Sequence, residues 1–379
     1  MKQIVIFALI VVLVLPFFGC KHNASMTGYQ ECDTLVSAGV KNLNSIADIS
    51  SLRQVLITET NDNSLIGRSL KRVIEHDSLL IFVDNMKQVL VFTRDGRHKF
   101  TINNVGQGPG EYTNLADAAI DSNGRELLLL TYTHLLRYSL SDGKYLGVAA
   151  TFETYPYEVV VEDDKAYLLK STYLNNELEQ NAVAVLDLST GKITEYMKPN
   201  EDFAPSQSYN GPALTTIGSD CVVLTRKFDP YIYSLNANSY SAAYKIDWGD
   251  DFLMPEPGTV YSSEELFQLS MKTHKVFVVN DVQKGDLIMT FSTNVPRFYY
   301  ANLNTKEVFS TQLVKDSELP LSTLTLLPIT NSDGWVIASF DNMMVEMMAK
   351  RNPDNAELQN LAAKLNEDSN PLMIMYKLK

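Results

Sequence analysis

The chain has 379 residues, 45% of them hydrophobic and 20% charged, with a formal net charge of −13 at pH 7. This composition excludes a disordered chain, a collagen and a multi-span membrane protein. The acidic balance and the lack of any run of clustered Lys and Arg also exclude a nucleic-acid partner. Abundant Tyr and Phe, 19 and 16 residues, lean toward strands, so a single all-β unit is open as well as the two or three domains the length allows.

Lys2 precedes an apolar stretch, residues 4–18, that ends at Gly19-Cys20 and is too short and one-ended for a comfortable membrane span. Residues 1–19 therefore read as a signal peptide. The run Leu15-Pro16-Phe17-Phe18-Gly19-Cys20 resembles a bacterial lipobox, which implies lipidation at Cys20. An ordinary secretory signal with a chance Cys, or an uncleaved anchor, stays open. Loss of residues 1–19 removes one Lys and no acid, moving the net charge from −13 to −14. Residues 20–45 are expected to be the lipidated Cys and a polar tether, holding the protein at a membrane through two or three acyl chains. Lys21-His22-Asn23-Ala24-Ser25 lacks the acidic cluster that resembles a surface-export signal, so the expected location is the cell envelope, on the periplasmic side of the outer membrane.

From residue 46 onward a strand-turn-strand signal recurs at 89–96, 135–143, 183–191, 231–238, 298–306 and 372–378. Aligned on Thr93, Leu140, Leu188, Leu235, Leu303 and Leu378, the copies are 47, 48, 47, 68 and 75 residues apart. Short apolar runs with Asp-Gly or Asn-rich turns at this period predict the four-stranded blades of a β-propeller. The first copy predicts strands at 69–75, 79–83, 88–93 and 97–102, and the second at 116–121, 126–131, 135–140 and 144–149. The sixth copy ends after its third strand, and the spare run 52–57 is expected to fill the vacancy, closing a six-bladed ring and removing exposed edges.

The two long intervals predict small helical insertions, at about 248–270 and 341–367. Ser262 and Glu265 form a capping-box pattern before Leu266, Phe267 and Leu269. Residues 341–350 read as a helix, and Asn352-Pro353 as the cap and first-turn Pro of another that aligns Leu358, Leu361 and Leu365. These insertions are either buttresses over the ring closure or a lid or partner surface, with Met343, Met344, Met347 and Met348 suited to adaptable binding.

Gly106-Gln107-Gly108-Pro109-Gly110-Glu111-Tyr112 resembles the GxGPGEY signature of bacterial six-bladed β-propeller lipoproteins, relatives of NHL-repeat propellers. The C-terminal run 367–379 is similar to that family's closing motif. The resemblance spans essentially the whole chain and implies fold and address without a ligand; NHL-type relatives include binding scaffolds and metal-dependent lyases. Read physically, the motif is no phosphate loop, since no Lys-Ser/Thr and no helix pattern follow it. It suits a link between successive blades, with Gly106, Gly108 and Gly110 adaptable and Pro109 stiffening the path. Glu111 and Tyr112 then become candidate ligand-binding residues at the channel mouth. The bland alternative makes Glu111 an acceptor for backbone N–H groups or a partner of a nearby Arg.

Other chemistry is sparse. His76 and His274 occupy candidate inner-strand positions while His98 and His134 do not, too few for a metal lyase, so no metal and no cofactor are expected. Asp163-Asp164 and Asp250-Asp251 read as solvated turns, and no nucleophile elbow or triad stands out, so no catalytic residue is assigned. Cys32 and Cys221 are far apart in sequence; Cys221, in an apolar run, is expected to be a free buried thiol. The expectation is a monomeric, lipid-anchored binding or scaffolding module for a glycan, peptide or protein. The alternative is an envelope lyase or hydrolase with its site at the channel mouth, using Glu111 or a channel Asp.

Overall fold

Short apolar runs separated by turn residues become strands through most of the described residues, and the protein is all-β, with two helices and one 3-10 turn whose bounds are described and helical positions at 265, 268–269 and 272. The computed structural model describes residues 33–36, 41–170, 173–174, 177–178, 181–198, 213–217, 221–226, 229, 231–247, 265, 268–269, 272, 282–283, 286–291, 297–302, 305, 307–323 and 326–379. These fall in one unit, Cys32–Lys379. The signal segment, Cys20, Cys32, Asp250-Asp251, His274 and most of the helical segment expected over 248–270 lie outside the described residues.

Three strands lead: β1 (Asp33–Val36), β2 (Lys41–Asn42) and β3 (Ser50–Leu56), with the 3-10 turn Ile46–Asp48 before the third. β4 (Leu70–His76), β5 (Leu79–Asp84), β6 (Val89–Thr93) and β7 (His98–Ile102) form a first antiparallel meander. β8 (Asp117–Ile120), β9 (Glu126–Leu130), β10 (His134–Ser139) and β11 (Tyr145–Thr151) form a second. In the third, β12 (Pro156–Glu162) and β13 (Lys165–Lys170) are followed by a small hairpin, β14 (Tyr173–Leu174) and β15 (Glu177–Leu178), before β16 (Val183–Asp187) and β17 (Ile193–Tyr196). β18 (Leu214–Ile217), β19 (Cys221–Thr225), β20 (Tyr231–Leu235) and β21 (Tyr240–Asp247) make the fourth. β22 (Val282–Gln283), β23 (Asp286–Phe291), β24 (Arg297–Asn302) and β25 (Val308–Thr311) make the fifth. After the hairpin β26 (Val314–Lys315) and β27 (Ser322–Thr323) come β28 (Leu327–Thr330), β29 (Trp335–Phe340), helices α1 (Asn342–Arg351) and α2 (Ala356–Ala362), and β30 (Leu372–Leu378).

β3 lies antiparallel to β30, from Ser50 opposite Leu378 to Leu56 opposite Met373, so the last meander reads β28-β29-β30-β3. Its first strand also pairs in parallel with β4, Ile329 opposite Val73 and Thr330 opposite Ile74, joining the last meander to the first. The segment ahead of β3 departs from the expected free tether. β1 adds in parallel to β21 and β2 to β25, while Leu43, Ile46 and Ile49 are buried against Phe298, Tyr300 and Val336. An apolar wedge of this kind gains about 1.5–3 kcal/mol per buried aliphatic side chain, which solvation of a tether would forfeit.

Apolar layers separate successive meanders. Ile81, Val91 and Ile120 belong to the layer between the first and second. Leu130, Val159 and Leu168 belong to the next, and Val160, Val185 and Leu224 to the one after. Leu80, Phe82, Met373 and Met375 pack the last meander on the first. The helices differ from the sequence reading at their junction. Asn352 ends α1, its N–H and side-chain amide both donating to Met348 O, and Asn355 caps α2 by accepting from Leu358 N–H at 2.9 Å. Leu358 and Leu361 are buried, with Leu365, Met344 and Met348 packed beside them, whereas Met343 and Met347 face solvent.

Candidate functional site

The glycine-rich motif sits in the link from β7 to β8 and folds upon itself. Gly106 N–H donates to Tyr112 O at 3.1 Å, Tyr112 N–H to Asn104 O at 2.9 Å and Glu111 N–H to Gly108 O at 3.0 Å. The Glu111 carboxylate accepts from Gly108 N–H at 2.8 Å and lies so close to Gly106 that a Cβ there would meet it at 2.0 Å. Gly110 has φ +75°, its carbonyl accepts from the Tyr138 hydroxyl, and a Cβ would fall 2.6 Å from the Tyr145 ring. Tyr112 is only 3% exposed; its hydroxyl lies 2.9 Å from Lys87 O and 3.2 Å from Ile102 O, and burial pushes the phenol's pKa well up. The two residues expected side by side at a channel mouth thus part company: Glu111 turns back onto the loop's own backbone, and Tyr112 belongs to the core between the first two meanders.

A different set of ionisable groups converges on the first strands. Arg72 of β4 is 1% exposed and forks onto Asp117 of β8, Nε to Oδ1 and Nη2 to Oδ2 both at 2.6 Å, while Nη1 donates to Thr330 of β28 at 3.3 Å. Asp117, 3% exposed, also accepts from Val159 N–H of β12 at 2.9 Å. Glu158, the preceding residue on β12, stands 4.0 Å from Arg72 Nη2 and accepts from Ala213 and Leu214 N–H at 2.9 and 2.8 Å. Lys71 donates to Leu115 O at 2.6 Å, and burial lowers its pKa against the pull of Asp117 and Asp84. Burial raises Glu158 to about 7, opposed by Arg72 and by the two N–H donors and assisted by Asp117. One chain of charge-assisted bonds therefore runs through β28, β4, β8, β12 and the start of β18, five first strands. Such buried pairs specify an arrangement more than they stabilise it, because desolvation offsets much of the attraction.

Sequence reading missed this belt. Its signal was an ionisable residue directly before an apolar run in the first strand of three successive repeats, Arg72 before Val73-Ile74, Asp117 before Ala118-Ala119-Ile120 and Glu158 before Val159-Val160-Val161. The histidines stand apart from it: His76 closes β4 beside Asp77, His98 contacts Thr101 Oγ1 at 2.9 Å, and His134 contacts Thr133 Oγ1 at 2.8 Å. Among the described residues no group of three or more His, Cys, Asp or Glu is close enough to hold a metal. Cys221 is a free thiol, half-buried rather than buried, with Sγ 3.3 Å from Ser234 Oγ.

Antiparallel order places each turn between second and third strands at the same end of its sheet as the link to the next meander. Of the eleven exposed large apolar residues described, seven lie in these connections and none in the opposite hairpins. Leu65, Met86, Val105, Tyr132 and Tyr155 are five of them, and Met343 and Met347 of α1 the others. The connections that carry the first five are held by local contacts. Gln88 Nε2 donates to Leu65 O at 2.7 Å, Met86 packs over Gly67, Val105 bridges Tyr112, and Asn114 Oδ1 accepts from Tyr132 N–H at 2.8 Å. The Tyr132 and Tyr155 rings lie 5.9 Å apart, tilted by 49°.

A family model described as a domain of unknown function, DUF4934, matches residues 45–377. No curated protein matches the chain. In structure the chain is similar to a Bacteroides fragilis protein provisionally described as exported, with TM-score 0.70 at 18% identity over 91% of this chain and 99% of that one. A member of the DUF4221 family from Bacteroides vulgatus gives TM-score 0.51 at 10% identity, covering 87% of this chain and 97% of its own.

Proposed function

The chain belongs to the family described as a domain of unknown function, DUF4934, and from that premise we propose that it is a six-bladed β-propeller of the cell envelope that binds or scaffolds a protein, peptide or glycan partner. Six four-stranded meanders, the parallel joint of β28 to β4 and the completion of the last meander by β3 support the six-bladed ring. The lipobox-like run ending at Cys20, together with likeness to a protein provisionally described as exported, supports a lipid-anchored form at the outer membrane facing the periplasm. The GxGPGEY run then acts as an inter-blade staple, with Glu111 as its internal acceptor.

The observation that carries the binding role is the concentration of exposed apolar side chains in the connections at one end of the sheets, with Tyr132 and Tyr155 as a paired aromatic platform. Isolated exposed apolar residues are ordinary, but Tyr, Met and aliphatic side chains gathered in the connections at one end of the sheets have the composition of interface cores. A second reading, an acid-base site at the ring centre, draws on Glu158 and its pKa of about 7. It is the weaker of the two, since Oε2 of Glu158 is already committed to two backbone N–H groups.

A peptide and glycan array, run with the wild-type chain, Tyr132→Ser/Tyr155→Ser and Glu111→Ala, tests the role. The expected result is binding that falls at least about tenfold in the double variant, the loss of ~1.4 kcal/mol or more from two truncated anchors, and persists in Glu111→Ala. Binding that ignores the tyrosines, or turnover of an array component that Glu158→Gln abolishes, would overturn it.

A further inference from the structure

The methionines divide by place. Met86, in the turn from β5 to β6, is 60% exposed, and Met343 and Met347 of α1 are 75% and 43% exposed. Each stands in the connection between a second and a third strand, Met86 in the first meander and the other two in the last, and the parallel pairing of β28 with β4 makes those meanders neighbours. Met197, Met373 and Met375 are at most 4% exposed.

Within α1 the division follows helix geometry. Residues three and four apart share a face. Val345, Met348 and Ala349 therefore turn to the core together, with Met344 beside them, while Met343, Glu346, Met347 and Lys350 form the outer face. Other groups hold the helix: Asp341 accepts from Met343 N–H at 2.9 Å, and Asn342 Nδ2 donates to Asn366 O and Ser369 O at 3.1 and 2.6 Å. In the turn after β5, Asp84 accepts from Gly67 and Met86 N–H at 2.7 and 2.9 Å. The frame at both places is thus made of backbone and polar side chains, not of thioethers.

We propose that Met86, Met343 and Met347 are oxidation sites for hydrogen peroxide, and that their sulfoxides turn the connection end of the sheets from apolar to polar without disturbing the fold. The thioether sulfur attacks one peroxide oxygen, the O–O bond breaks as the S–O bond forms, and the second oxygen leaves as water. Sulfur is oxidised by two electrons and the peroxide reduced by two, so no other reactant enters. The product is a polar, chiral side chain that disrupts Met-rich contacts, and a methionine sulfoxide reductase with a thiol reductant reverses it. Burial supplies the selectivity, since an oxidant in solution reaches the exposed sulfurs before those of Met373 and Met375. The effect on a partner rests on the binding role proposed above; the site of modification does not.

Peptide mapping by mass spectrometry of the full chain during peroxide treatment tests the site. The expected result is sulfoxide at 86, 343 and 347 forming at least about tenfold faster than at 373 and 375, with an unchanged melting temperature at that stage and loss of the difference in urea. Reductase treatment is expected to return the three to thioethers. For the array component that wild type binds, peroxide treatment is expected to weaken binding at least about threefold. In Met86→Leu/Met343→Leu/Met347→Leu, treated and untreated samples of the variant are expected to agree. Sulfoxide appearing as fast at 373, a melting temperature that falls with the first sulfoxides, wild-type binding that ignores them, or an equal peroxide effect in the triple variant overturns the proposal. An array with no bound component counts against the binding role alone, because the order of oxidation and the melting temperature still decide the modification.

Discussion

Replacing Glu158 by Gln should change how stability depends on pH. The native carboxyl holds its proton up to about 7, against an ordinary value of 4.5, because burial outweighs Arg72 and the Ala213 and Leu214 donors. Native protein therefore binds more protons than unfolded protein between these values, and unfolding free energy must fall as pH rises through that window. The stabilisation is complete below 4.5 and gone above about 7. At ~1.36 kcal/mol per pH unit, the shift corresponds to about 3 kcal/mol. Gln keeps a carbonyl oxygen for the two N–H donors and never ionises. The variant should match wild type near pH 4 and exceed it by up to about 3 kcal/mol at pH 8. Urea unfolding followed by tryptophan fluorescence at intervals from pH 4 to pH 8 measures the difference, and titrating groups remote from Glu158 cancel in the comparison. Parallel stability profiles, or a wild type that gains on the variant as pH rises, would refute the account of Glu158 as a buried acid held near neutrality.

Further outcomes follow from the same contacts. Asp117→Ala leaves the Arg72 guanidinium buried without its fork and should lose about 3–5 kcal/mol by urea unfolding, much of it recovered in an Arg72→Met/Asp117→Leu double variant. Asn370→Ala should cost about 1–3 kcal/mol, because the buried amide donates to Glu59 O and Ser64 O and accepts from Ile66 N–H, fastening the link after β3 to the start of β30. Tyr138→Phe strips the buried donor from Gly110 O and should lower stability by about 1–2 kcal/mol in thermal unfolding, with faster exchange over 104–112.

The strands were readable because their signals are local. Alternation with Asp-Gly turns located β4 to β7 and β8 to β11 within two residues, and a run with no partner of its own, 52–57, became β3 beside β30. β1 and β2 were not readable, since Asp33-Thr34-Leu35-Val36 and Lys41-Asn42 are too short for any period and find their place only through strands about 200 residues or more away, β21 and β25. The second helix began three residues later than its Asn-Pro signal because Asn352 spends its amide on ending the first. Tyr112 was placed at a channel mouth from its position at the end of the glycine-rich link, whereas two carbonyls, Lys87 O and Ile102 O, let its phenol be buried. The charged belt was illegible for the opposite reason, since each charge makes sense only beside partners 42 to 86 residues away in other repeats.

The pairing of β3 with β30 also sets an order in time. Ser50 and Leu378 are 328 residues apart, and the last meander lacks its outer strand or its third strand until both are present. The first three meanders have all their own strands in consecutive sequence and can form as the chain is delivered. The last cannot, and loop closure over that separation is the slow kind of contact that controls folding rates in β proteins. Residues 33–56 must wait in parallel, because the edges of β21, β25 and β30 are all made later than the segment that covers them. A chain built this way leaves its last meander open until β30 has been made, and only then can residues 33–56 and the strands they cover come together.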